Sequence, residues 1–241
     1  MYARDVDTYP EPLTFGVSGK LIMNVLVMYD HQTESYWSQI LGQAVEGELA
    51  GTDLTPIASL QTTWKQWREL HPGTLALRKG YFGSRDPYTS YYAGNNAGVL
   101  GQTLEDERLP KKTMGIGLVL NGQPAYYPLS ALREELVVND VVGGESVLAI
   151  LRPEAMTAFV FRRTVDDQVL TFSLADNGDA LPDLVDAETG SRWSIFTGVA
   201  SDGPLVGKTL ERVPSTTSFW FGWKDFHPDT YVYGVDEPAG D

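Results

Sequence analysis

Runs of apolar residues broken by short polar turns dominate the chain. IGLVLNGQPAYYPL, from Ile116 to Leu129, places two such runs around Asn121-Gly122, the pair that best accommodates the left-handed backbone of a two-residue hairpin. VVNDVVGGESVLAIL turns in the same way at Gly143-Gly144, and FVFRRTVDDQVLTF turns around Asp166-Asp167. In LVMYDHQTESYWSQI the Asp30 carboxylate is placed to cap a turn, and Glu34 takes the position held by Gly190 in DAETGSRW, which points to a left-handed residue at both places. A helical period replaces the strand pattern at WKQWRELHPGT. Trp64, Trp67 and His71 fall on one helical face, Thr62 or Thr63 supplies the N-cap, and Pro72 forces a stop. PLSALREEL, from Pro128, reads as a second short helix. The pattern predicts an α+β fold, predominantly antiparallel β with short helices.

Near the C-terminus, WFGWKDFHPDT repeats the Trp, Trp, His, Pro and Thr of WKQWRELHPGT at the same spacing. At a constant offset of 156 residues, Asp30, Thr33, Ser35, Trp37 and Ser38 fall on Asp186, Thr189, Ser191, Trp193 and Ser194. Gly42, Ala44, Gly47, Leu49, Gly51 and Leu54 fall on Gly198, Ala200, Gly203, Leu205, Gly207 and Leu210. Trp64, Trp67, His71, Pro72 and Thr74 fall on Trp220, Trp223, His227, Pro228 and Thr230, and one residue of slippage brings LTF at Leu13 onto LTF at Leu170. The period is too long for a solenoid and reads as two internally duplicated halves.

The halves differ in what introduces them. MYARDVDTYPEPLTF at the N-terminus matches only FVFRRTVDDQVLTF, the end of the long stretch that leads into the second copy. Judged by that copy, about forty residues are missing before Met1, so the expectation is either an N-terminal truncation or a first half that does without them. The expected organisation is a first, N-terminally incomplete repeat over 1–79, a connector rich in aromatics and glycine over 80–112, a second, complete repeat over 113–235, and a tail over 236–241. An incomplete first repeat should leave a strand edge near Leu13 uncovered or borrowed, and a homodimer through that edge is one expected assembly.

Composition narrows the chemistry. The 241 residues include 42% hydrophobic side chains, enough to bury a substantial core. A net charge of -14 lacks the basic stripe that displaces counterions from phosphate, so nucleic acid is not an expected partner. The absence of cysteine excludes disulfides, thiolate metal sites and cysteine nucleophiles in this chain, and three histidines, His31, His71 and His227, leave little for zinc. No stretch approaches the length of a membrane span, and MYARDVDTYPEP has no apolar signal core.

Four features invite a functional reading. GPLVGKT, Gly203 to Thr209, ends like a phosphate loop, but Asp202 stands where the loop needs its first glycine and the equivalent GELAGTD has no Gly-Lys-Thr. The faces formed by Trp64, Trp67 and His71 and by Trp220, Trp223 and His227 offer stacking surfaces for a sugar or a base; their recurrence favours packing. Asp30 with Ser35 and Asp186 with Ser191 recur as ionisable and hydroxyl pairs, and turn capping explains Asp-x-x-Thr-x-Ser without catalysis. These residues, with Trp37 and Trp193, are read as structural anchors. The connector GYFGSRDPYTSYYAGNN sets Tyr88, Tyr91 and Tyr92 beside Arg85 and Asp86, a candidate binding surface that serves equally as a lid over a core.

Taken together, LTFGVSGKL, LVMYDHQTESYWSQILGQAVEGELAGT, TTWKQWRELHPGTLAL, RDPYTSYY and NGQPAYYPLSALREELVVNDVVGG resemble the bacterial and archaeal family called domain of unknown function 3179, over most of the chain. The resemblance implies a Cys-Pro-Leu-Cys-Gly-Thr segment just before the strand that leads to LTFGVSG, and an exported or lipid-anchored setting. In RPEAMT of the second copy, Arg152 and Ala155 stand where the two cysteines would be. No catalytic residue, metal or cofactor is assigned. The expected function is a non-catalytic, extracytoplasmic β-rich module binding a protein or small ligand. The alternatives are an accessory redox or metal protein whose active cysteines lie upstream, and an aromatic carbohydrate-binding module.

Overall fold

Each hairpin signal in the sequence closes a turn in the computed structural model, which describes residues 1–78, 88–101, 103–175 and 184–237. Asn121 and Gly122 both adopt left-handed backbone (φ 49° and 77°), as do Gly143 and Gly144, and Asp166 and Asp167. Glu34 (φ 57°) and Gly190 (φ 71°) share the left-handed position expected of them.

In chain order the strands and helices are β1 (Phe15–Ile22), β2 (Val25–Asp30), β3 (Tyr36–Ser38), β4 (Gln43–Glu46), α1 (Trp64–Leu70), α2 (Thr89–Ala93), β5 (Met114–Leu120), β6 (Gln123–Pro128) and α3 (Leu129–Glu134). They continue with β7 (Val137–Val142), β8 (Glu145–Arg152), β9 (Thr157–Arg162), β10 (Thr164–Val165), β11 (Gln168–Val169), β12 (Phe172–Leu174) and β13 (Leu184–Asp186). The last are β14 (Arg192–Trp193), β15 (Ala200–Asp202), β16 (Thr216–Phe219), α4 (Trp220–Lys224) and β17 (Tyr231–Val232). The fold is β-rich and mostly antiparallel, with few and short helices.

Two four-stranded meanders, β1-β2-β3-β4 and β12-β13-β14-β15, have the same strand order. Their registers also agree: Phe15 stands opposite Asp30 and Trp37 opposite Ala44 in one, Phe172 opposite Asp186 and Trp193 opposite Ala200 in the other. A register shift falls at Tyr36/Trp37 and again at Arg192/Trp193. The remaining sheets are β16-β5-β6-β17 and β7-β8-β9, with β10-β11 a small hairpin. The pairing of β17 with β6 is parallel.

The core is organised around β8. Its run Val147–Leu151 is exposed by no more than 2%, because both of its faces are covered, and a strand buried on both faces reads as a continuous apolar run. Val147, Ala149 and Leu151 pack with Ile116, Tyr127 and Leu132 of β5, β6 and α3. Leu148 and Ile150 point the other way, into a cluster with Phe161, Phe172, Leu184 and Trp193. A smaller cluster under the first meander gathers Val6, Leu13, Trp37, Ala44, Leu49 and Leu54.

The outer edges of the two meanders are finished differently. At β12 the side-chain amide of Asn139, on β7, donates to Phe172 O and accepts from Phe172 N, both at 2.8 Å. Among the described residues no side chain closes Phe15 in this way, and β1, the strand entered by LTFGVSG, lies at a sheet edge as expected. That edge is broken by a register shift between Val17 and Leu21, with Gly19 at φ 75°.

Candidate functional site

The Asp-x-x-Thr-x-Ser-x-Trp segments build matching clamps. Asp30 accepts hydrogen bonds from Thr33 N (2.5 Å), Thr33 Oγ1 (2.9 Å) and Trp37 Nε1 (2.9 Å); Asp186 accepts from Thr189 N (2.6 Å), Thr189 Oγ1 (2.8 Å) and Trp193 Nε1 (2.8 Å). Ser35 Oγ and Ser191 Oγ each accept a backbone N–H, from Leu49 and Leu205, at 3.0 Å. Burial pushes both Asp carboxyls up, and the bonds from Trp, Thr and Ser outweigh it, holding each below the ordinary carboxylate range. The lone pairs are engaged in holding the turn, and Asp30, Ser35, Trp37, Asp186, Ser191 and Trp193 are all at most 1% exposed. The clamps fasten structure and offer no free base to a substrate.

The two tryptophan helices share their local chemistry. Thr63 caps α1 by accepting from Gln66 N at 3.2 Å. Trp67 Nε1 donates to Thr74 Oγ1 at 2.9 Å, and Trp223 Nε1 to Thr230 Oγ1 at 3.0 Å. The rings of His71 and His227 each sit 4.2 Å from their tryptophan. Their surroundings differ. Trp220 and Trp223 lie under β5 and β6, packed with Tyr126 and Val232, and Trp223 crosses so close to Gly117 that a Cβ there would stand 2.3 Å from its ring. Burial lowers the His227 imidazole to about 4. In α1, by contrast, Trp64 is 50% and Trp67 37% exposed, and His71 is exposed. The expectation that Trp64, Trp67 and His71 are packed anchors is therefore corrected, because among the described residues no strand pair covers α1 as β5 and β6 cover α4. Instead, Gln66 of α1 and Thr62 just before it meet the Thr157 hydroxyl of β9.

Of the connector residues singled out in the sequence, Arg85 and Asp86 lie outside the described residues. Tyr88 and Tyr92 are exposed, while Tyr91 packs edge-on to Phe219 and takes the Lys112 ammonium over its ring at 3.8 Å. The connector is tied down at both sides. Asn24, in the turn between β1 and β2, accepts from Leu100 N (2.6 Å), and Asp225 accepts from Thr103 N (3.1 Å) and Leu104 N (3.0 Å). Asp225 is also paired with the buried Lys224 Nζ at 2.9 Å, and Lys224 in turn donates to Leu104 O.

Between these tied segments lies an apolar cleft of about 530 Å³. Tyr2, Phe15, Met28, Ile40 and Leu54 form one wall; Phe219, Phe221 and Gly222 form the other, with Tyr91 at the rim. Polar groups are few: Arg4, Asn24, Gln39 and the hydroxyls of β16, among which Ser218 Oγ is buried with no partner among the described residues. A second hollow of about 460 Å³ adjoins it beneath Tyr2, Ile40 and Leu54 and reaches Trp223 and His227. Such a cleft suits an apolar body held by a handful of polar contacts. Sequence reading found Tyr91 but missed the walls. Ile40, Leu54 and Phe15 read as ordinary core positions, and Gly222, between aromatics in WFGWKDF, was the one small-residue signal available. Among the described residues, no group of three His, Asp or Glu side chains is placed to hold a metal ion, and no helix is long and apolar enough to cross a membrane.

Fold and site together define a β-rich protein of antiparallel meanders with an apolar cleft at its N-terminal edge. The chain belongs to the family described as protein of unknown function (DUF3179), whose model matches residues 1–230. No curated protein and no solved structure matches the chain.

Proposed function

We propose that this protein is a non-catalytic binding module whose ligand or partner enters the cleft between the first meander and β16. The observation that carries this reading is the cleft itself: about 530 Å³ walled by aliphatic and aromatic side chains, with the Ser218 hydroxyl buried and unpartnered at its side. We also read the two meanders as copies of one duplicated unit, in repeats spanning 1–79 and 113–235 with 80–112 as connector. The shared clamps, registers and Trp–Thr bonds support that reading. The carbohydrate alternative draws on Trp64 and Trp67, but two exposed indoles on α1 fall short of the three aromatics a sugar-stacking platform needs.

Gly222 provides the test. It sits in α4 with ordinary backbone, and an added Cβ would meet only Val25 Cγ2 at 3.9 Å, so a side chain can start there, and a leucine is expected to project into the cleft. An apolar fluorescent dye such as 1-anilinonaphthalene-8-sulfonate is expected to bind the native protein saturably, and Gly222→Leu to weaken it by roughly tenfold, equivalent to ~1.4 kcal/mol. Dye binding that is absent, or indifferent to Gly222→Leu while the variant melts normally, would overturn the reading.

A further inference from the structure

The turns that close β5–β6 and β7–β8 are docked backbone to backbone. Gly143 sits so close to the end of β5 that an added Cβ would stand 2.3 Å from Leu120 O. One side chain stitches the two turns together: Asn121 Nδ2 donates to Gly143 O at 2.9 Å and to Glu145 Oε1 at 3.3 Å. Glu145 carries the contact onward, because its other oxygen pairs with Arg162 Nη1 at 2.5 Å, and Arg162 Nε faces Glu211 at 3.4 Å. The stitch requires an amide at position 121. Both groups that it meets are acceptors, and only the NH2 end of the side chain can donate to them.

The same position is open to attack. Asn121 and Gly122 are both exposed and both hold left-handed backbone. A Cβ at Gly122 would meet nothing within 4 Å, and the Gly122 N–H has no partner among the described residues. The backbone nitrogen that follows an asparagine is the nucleophile in the spontaneous loss of its amide, and a glycine, having no side chain, leaves that nitrogen unshielded. Asn24, Asn95, Asn96 and Asn139 are followed by the bulkier Val25, Asn96, Ala97 and Asp140. Asn177-Gly178 repeats the Asn-Gly pair and lies outside the described residues.

We propose that Asn121 is a modification site: it deamidates in the folded protein, and the product no longer docks the two turns. The Gly122 nitrogen bonds to Asn121 Cγ, and its proton leaves with the side-chain nitrogen as ammonia, which gives a cyclic imide. Water then opens the ring at one carbonyl to aspartate or at the other to isoaspartate. The sequence consumes one water, releases one ammonia and involves no oxidation or reduction. Aspartate at 121 sets a carboxylate against the Gly143 carbonyl and the Glu145 carboxylate, so two hydrogen bonds become two repulsions. Isoaspartate adds a methylene to the backbone of a two-residue turn, whose length fixes the register of β5 on β6. While the turns are docked, the bonds to Gly143 and Glu145 hold the amide away from Gly122 and slow ring closure. Conversion therefore removes the contact that restrains it, and the undocking runs one way.

The test maps the intact protein. It is kept warm at mildly alkaline pH, folded in one sample and unfolded in guanidinium chloride in another, and aliquots are digested and sequenced by mass spectrometry so that position 121 is read apart from position 177. Acid at 121, as aspartate and isoaspartate, is expected in the folded sample, and more rapidly in the unfolded one. Gly122→Asp, which accepts left-handed backbone and shields the nitrogen, should lose the conversion. Asn121→Asp, the stand-in for the product, should melt below the native protein, and Glu145→Gln should narrow that gap. Asn121 that stays intact in the folded chain over an interval in which the unfolded chain converts fully overturns the proposal. Equal rates in the two samples, or unchanged conversion in Gly122→Asp, overturn the docked turn as restraint and Gly122 as nucleophile. Asn121→Asp that melts with the native protein shows that the stitch to Gly143 does not hold the turns, and overturns the consequence drawn from it.

Discussion

Trp67 and Trp223 occupy matching helices, donate to matching threonines at 2.9 and 3.0 Å and carry a histidine ring at the same 4.2 Å, yet one indole is 37% exposed and the other 2%. The bonds within each helix depend on residues no more than seven apart, so the local sequence reproduces them wherever it occurs. Burial depends on what the rest of the chain brings alongside. α4 receives β5 and β6, with Gly115 and Gly117 making room for Tyr126 and Trp223, whereas α1 meets the start of β9 at Thr157 and keeps its indoles exposed. The same letters are a core anchor in one place and a surface in the other.

The largest effects should fall where the two regions agree. Trp37→Ala and Trp193→Ala each remove a fully buried indole together with its bond to an Asp, and each is expected to destabilise by roughly 3 to 5 kcal/mol in denaturant melts. A change below about 1 kcal/mol at either would dissolve the equivalence of the meanders. Trp223→Ala should cost a similar ~3 to 5 kcal/mol.

Gly117→Ala sharpens the contrast, because its Cβ would press on the Trp223 ring; overpacking of this kind costs roughly 1 to 3 kcal/mol. Adding Trp223→Leu, which vacates the ring, should recover most of that loss in a double-mutant cycle. Additive penalties would mean that the close approach is not what requires glycine.

A smaller effect is expected in acid. Burial holds the folded His227 pKa near 4, below its ordinary 6.5, so the unfolded chain binds the extra proton first. His227 therefore contributes no pH dependence above about 6.5, and stability falls as pH drops from there toward 4, by ~1 to 2 kcal/mol after allowance for partial solvent screening. In His227→Gln that segment of the stability curve should flatten, and an unchanged slope would place the imidazole in water. Smallest of all, Trp64→Ala should shift stability by no more than about 0.5 kcal/mol, as expected of a half-exposed side chain; a loss comparable to that of Trp223→Ala would erase the contrast between the helices.

What could be read in the sequence was local. Asn121-Gly122, Gly143-Gly144, the Asp30 and Asp186 turns, the Thr63 cap and the Pro72 stop are each fixed by residues a few positions apart, and each lies where the pattern put it. The cleft was not legible, because its walls come from residues 1–4, the first meander, β16 and α4, and apolar residues such as Ile40 and Leu54 look the same whether another strand covers them or not. The parallel pairing of β17 with β6 was hidden for the same reason, since only two residues, Tyr231 and Val232, carry it. The exposure of Trp64 was misread because identical neighbours promised identical packing.

At Asn139 a side chain does the work of a neighbouring strand. Its amide stands in for a peptide group at the margin of β12, so both hydrogen bonds to Phe172 across the seam depend on one side chain. Hydrolysis to aspartate would leave Phe172 N its acceptor but set a carboxylate oxygen against the Phe172 carbonyl, where repulsion replaces a hydrogen bond. Loss of that one donor would weaken the seam on one side of Phe172 while leaving its N–H bonded.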